Sequence, residues 1–88
     1  MPRKSTSGPY FYVFVMAYAS EAVKERIERG DHAEQGEITA NVVYLGTSEY
    51  RAAQAFYRAV KAAMANPLAY EVLVQASTQT IAQATIKH

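Results

Sequence analysis

From Tyr10 to Ala19 the chain reads YFYVFVMAYA, in which Tyr10, Tyr12, Phe14, Met16 and Tyr18 alternate with Phe11, Val13, Val15, Ala17 and Ala19. Aromatic and β-branched residues in alternation predict a strand, and here both faces are apolar. Over Ser20 to Arg29 the pattern changes. Ser20 is an N-cap residue, Glu21 sits in the first turn, Glu25 and Arg29 are spaced i, i+4, and Gly30 follows as a stop, which together predict a short helix. The rival reading is a polar edge strand, because an edge tolerates Lys24, Arg26 and Arg29. Glu37 to Leu45 alternates again and predicts a second strand, closed by Gly46.

Ser48 then caps the clearest helical pattern in the chain. Between Glu49 and Ala65, residues Tyr50, Ala53, Phe56, Tyr57, Val60 and Met64 recur at helical spacing, with Arg51, Gln54, Arg58 and Lys61 on the opposite side. That arrangement predicts an amphipathic helix buried on its tyrosine-bearing stripe and ended by Asn66-Pro67. Leu68 to Ala76 predicts a third strand. Ser77 to His88 is open between a fourth strand and a terminal helix, with the threonines favouring strand. The expected fold class is α+β: a two-layer domain over residues 9–88, with a three- to four-stranded, mainly antiparallel sheet, one long amphipathic helix on one face and a second short helix. Residues 1–8 read as a mobile N-terminal arm.

Length and composition narrow the function classes. Eighty-eight residues make one small core, in which about two-thirds of the unfolded chain's surface is buried, so little remains for a deep pocket. The chain has no cysteine, which excludes disulfides, thiolate metal sites and a cysteine nucleophile, and makes the cytoplasm the expected compartment. The apolar run from Pro9 to Ala19 is about half the ~20 residues of a membrane-spanning helix, so no membrane partner is expected. A net charge of +1 hides a cancellation, since Glu21 to Glu37 holds six acids and three bases while Glu49 to His88 holds four bases and two acids.

Catalytic and cofactor chemistry finds little to stand on. His32 and His88 lack orienting partners at fixed spacing, Asp31, His32 and Glu34 are too few for a firm metal site, and Gly30, Gly36 and Gly46 are isolated rather than grouped as in a phosphate-binding loop. The expectation is a non-enzyme with no cofactor and no metal. Tyr44-Leu45-Gly46-Thr47, Glu49 to Ala53 and Val72 to Ser77 together resemble the strand, helix and strand of a ribonuclease H-like core. In that resemblance Glu49 takes the place of the helix-borne metal carboxylate, whereas the two aspartate positions hold Ala17 and Ala76, so a two-metal site is not implied.

The aromatic strand is the stronger functional lead. One long helix covers only one face of a sheet, which leaves either the tyrosine row or the Phe11–Val13–Val15 row to something else. Tyrosine joins apolar area to a polar tip and suits a surface that is wet when free and buried when bound. Tyr10, Tyr12 and Tyr18 are therefore the expected partner-binding residues, toward a host protein or a second copy of the chain. The competing structure is a Ser20–Arg29 helix laid across that row, making both faces core. Arg51, Arg58 and Lys61 are expected as rim contacts or, in the alternative reading, as a nucleic-acid-binding helix face acting with Arg3 and Lys4. In size, composition and lack of catalytic residues the chain is similar to small phage anti-defence inhibitors such as anti-CRISPR proteins. That resemblance implies steric blockade of a host complex.

Overall fold

The structure, a computed structural model, describes residues 9–88; the predicted arm over residues 1–8 lies outside them. The elements run β1 (Phe11–Tyr18), α1 (Glu21–Glu28), β2 (Ile38–Gly46), α2 (Glu49–Ala63), β3 (Ala69–Ala76) and β4 (Gln79–Thr85). The strands form a four-stranded sheet in the order β2-β1-β3-β4, with every neighbouring pair antiparallel. The expected α+β class is what the chain adopts, and the open tail resolves as a fourth strand. The β3–β4 connection is the two-residue turn Ser77-Thr78, with Ser77 at a φ of 58°.

Both helices start where the sequence places a cap. Ser20 accepts the amide hydrogen of Val23 at 3.2 Å, and Ser48 accepts that of Arg51 at 3.1 Å, each satisfying an N–H that the first turn leaves unpaired. Gly30, at a φ of 105°, takes the left-handed step after α1. Asn66 accepts the amide of Leu68 at 3.0 Å and turns the chain from α2 into β3.

Helix α2 packs on β1, β2 and β3 from one side of the sheet. The core it closes contains Phe11 and Val13 of β1, Val72 and Val74 of β3, Ile86 after β4, and Ala52, Ala59 and Ala63 of the helix, with Val13 and Val72 fully buried. This corrects the predicted helical stripe. Tyr50, Tyr57 and Met64 are 72%, 64% and 62% exposed and point away from the sheet, while Phe56 and Val60 keep their predicted contact with the core. The helix is buried on its alanines because small side chains let its backbone lie close to the sheet, where β-branched strand residues fill the remaining space.

Helix α1 exists, but does not cover the sheet. It adjoins the end of β1, none of its residues is buried, and its long-range tie to the body is Lys24 Nζ donating to the Pro67 carbonyl at 3.0 Å. Arg26 organises the loop behind it. Its guanidinium donates to both Glu37 carboxylate oxygens, at 2.6 and 2.8 Å, and to the His32 carbonyl at 3.2 Å, and lies 3.7 Å from Asp31. Glu37 also accepts the Glu34 backbone amide at 2.9 Å, and the carboxylates of Asp31 and Glu37 both face the one arginine.

Candidate functional site

The β-strand alternation assigns the two faces of β1. Phe11 and Val13 are buried beneath α2, with Val15 and Ala17 packed beside them; Tyr12, Phe14, Met16 and Tyr18 lie on the other side, half-buried by their neighbours, and Tyr18 at the strand end borders Lys24 and Glu28 of α1. The tyrosine row is thus on the open face, not in the core. Strand register extends it laterally. On β2, Leu45, Val42, Ala40 and Ile38 stand opposite Tyr12, Phe14, Met16 and Tyr18, and on β3 Gln75, Leu73 and Glu71 stand opposite Tyr12, Phe14 and Met16. Directly opposed residues of antiparallel strands share a face, so these side chains form one continuous surface.

Aromatic contacts stiffen this surface at both ends. The rings of Tyr12 and Phe14 stack with centroids 5.9 Å apart and planes 2° from parallel, and Tyr18 meets Tyr70 at 4.7 Å with a 31° tilt. Rigid aromatic area loses little conformational entropy when a partner arrives, which favours binding. Burial, followed by the nearby Glu71 charge and Tyr18, pushes the Tyr70 phenol up from its ordinary value. Glu71 itself accepts a hydrogen bond from the Gln83 amide. Tyr10 stands exposed just before β1, where its carbonyl accepts the Ser77 amide at 3.1 Å.

Arg51, Arg58 and Lys61 are exposed on α2, so the sheet separates them from the tyrosine row. They do not rim it. Arg58 and Lys61 sit instead beside the two tyrosines of the predicted buried stripe, where Tyr50, Gln54, Tyr57, Arg58 and Lys61 line an open depression on the outer helix surface, and Arg51 lines a separate one with Val43, Tyr44 and Gln54. Lys61 Nζ lies 5.3 Å from the Tyr57 ring centroid, and Gln54 donates to the Tyr50 hydroxyl at 3.2 Å. Sequence reasoning missed this second aromatic surface. The signal was present in Ala52, Ala59 and Ala63, an alanine stripe whose burial forces the bulkier residues outward.

The remaining candidates are dispersed. Ala17 and Ala76, the positions matched to the ribonuclease H-like carboxylates, lie at opposite ends of β1, with Ala76 across from Phe11 and Ala17 across from Ala69. Glu49 is an exposed first-turn residue of α2. His88 Nε2 is 2.9 Å from the Ala69 carbonyl oxygen. Among the described residues no three His, Cys, Asp or Glu side chains gather as a metal site would require, and no helix is long and apolar enough to cross a membrane. The fold and surface define a class: a two-layer α+β domain with one sheet face covered by a helix and the other left open. Compared with protein-family models, curated proteins and solved structures, the chain has no match in any of the three.

Proposed function

We propose that this protein is a non-enzymatic protein-binding module whose contact surface is the open sheet face, with Tyr10, Tyr12 and Tyr18 as anchors. The observation that carries the reading is that the aromatic row of the central strand lies on the side opposite α2, ordered by stacking and flanked by Val42, Leu45 and Leu73. Its fitting partner is a protein surface with an apolar centre to meet the aromatic rings and a basic side chain to meet Glu71. On this reading the action is steric, as the likeness to phage anti-defence inhibitors implies, and the partner is a cytoplasmic host protein or complex.

The test compares wild-type protein with a Tyr10→Ser/Tyr12→Ser variant, each coupled to resin and exposed to extract of the source cell. A protein retained by the wild type and lost by the variant, with the melting temperature unchanged, supports the reading. Equal retention overturns it, as does a variant that no longer folds. The exposed Tyr50 and Tyr57 beside Arg58 and Lys61 favour a second reading, a nucleic-acid-binding face on α2. Salt separates the two, since affinity for nucleic acid falls steeply with ionic strength and affinity at an aromatic protein interface does not.

A further inference from the structure

The outer edge of β2 is unguarded from Ile38 to Val42, ahead of a bulge at Val43. Sheet edges are ordinarily protected by charges, prolines or shortness, yet the nine residues Ile38–Gly46 contain neither a charge nor a proline, and Val42, Val43 and Leu45 are exposed on them. The direction of the backbone groups follows from one hydrogen bond. Ala19 donates to the Glu37 carbonyl at 2.9 Å, which turns Glu37, and by alternation Thr39 and Asn41, toward β1. The N–H and C=O groups of Ile38, Ala40 and Val42 therefore face outward. This stretch ends at the register shift between β1 and β2, where Val43 is the extra residue.

From this geometry we propose that β2 pairs antiparallel with β2 of a second copy of the chain, about a two-fold axis through Ala40. That register sets Ala40 against Ala40 and Ile38 against Val42, so each outward amide meets an outward carbonyl. It also places Thr39 against Asn41, a polar pair on the helix side, and β-branched Ile38 against Val42 on the open side. A strand with no charge meets its own copy without like-charge repulsion. Beside the same edge, Val43 with Ala55, Ala59, Ala62 and the stem of Arg58 lines a shallow, mostly apolar groove, which a neighbouring copy would cover while leaving the guanidinium at its margin. Edge β4 is also uncharged, but it presents Gln79, Thr80, Gln83 and Thr85, which water satisfies. Pairing through β2 joins the two open faces into one wider surface, although the proposal rests on the edge and not on what that surface binds.

Two measurements test it. In hydrogen exchange followed by NMR on the wild-type chain, the amides of Ile38, Ala40 and Val42 gain protection as concentration rises, whereas the outward amides of β4 do not; exchange at these three amides that ignores concentration overturns the proposal. In sedimentation equilibrium the wild type is a dimer, and Ala40→Pro, which removes an outward N–H while keeping every bond to β1, weakens self-association by more than about tenfold. A wild-type monomer at all concentrations, or an undiminished Ala40→Pro dimer, overturns it. If Ala40→Pro does not fold, the wild-type exchange experiment decides alone.

Discussion

Val13 and Phe14 are neighbours on the central strand, and their opposite fates make the two-face architecture measurable. Val13 is fully buried beneath α2, whereas Phe14 is half-buried on the open side against Tyr12. Val13→Ala removes two methyl groups from a site without solvent access, a loss of about 1.6 kcal/mol in transfer free energy. The unfilled space adds to this, giving a total of roughly 2–3 kcal/mol. Phe14→Ala deletes a larger side chain, but part of its area is already in water and α2 does not close over it, so water enters the space it leaves. With no closed cavity left behind, its cost is about 1–2 kcal/mol, from the lost contact with the adjacent strands and stacking on Tyr12. Size alone predicts the reverse order, because a phenylalanine in a closed core costs about 3–5 kcal/mol on truncation to alanine. Urea denaturation followed by circular dichroism, at a single protein concentration, gives both values. A Phe14→Ala loss of about 3 kcal/mol or more, exceeding that of Val13→Ala, refutes the assignment of an open face.

Three further outcomes follow from the same geometry. Ala59→Leu forces a branched side chain between α2 and the sheet and lowers stability by about 1–3 kcal/mol, while Tyr57→Ala on the outer surface of the same helix changes it by less than about 0.5 kcal/mol, both read by thermal unfolding. Ser77→Gly relieves a side chain held at positive φ in the two-residue turn and stabilises by about 1 kcal/mol, a rise in Tm of roughly 4–8 °C for a domain of this size. The Arg26 hydrogen bonds, followed by the Glu34 amide, lower the Glu37 carboxyl from its ordinary value of 4.5 to about 2. Because the folded-state value is the lower one, the stabilisation is complete above 4.5 and disappears as pH falls toward 2. Glu37→Gln removes that part of the acid dependence, and a pH series of denaturant midpoints for the two proteins detects the difference.

Local signals in the sequence carried through where a short-range cause was sufficient. Ser20 and Ser48 cap their helices, Gly30 ends α1, and the alternation in Tyr10–Ala19 and Leu68–Ala76 becomes β1 and β3. The stripe on α2 failed for a physical reason. Hydrophobic periodicity scores tyrosine and alanine alike as apolar, but a helix lying on a sheet buries whichever side permits closer approach, and here that is Ala52, Ala59 and Ala63. Exposing Tyr50 and Tyr57 moved them from the expected core to a surface shared with Arg58 and Lys61.

The sequence by itself determined the types of β1, β2, α2 and β3, the caps and a strand with two apolar faces, because each depends on residues within a turn or a few positions. It left Ser20–Arg29 and Ser77–His88 open between helix and strand, which the tertiary structure decided. Which of those faces met the helix was decided by tertiary packing. The register of β1 between β2 and β3 and the placement of α1 at the strand end left Tyr12, Phe14 and Met16 on the open side, while Tyr18 borders α1. Strand order likewise turned an uncharged run, Ile38–Gly46, into an edge. Alternation states that two faces differ, but only the spatial order of strands and helices says which is closed and which remains available to a partner.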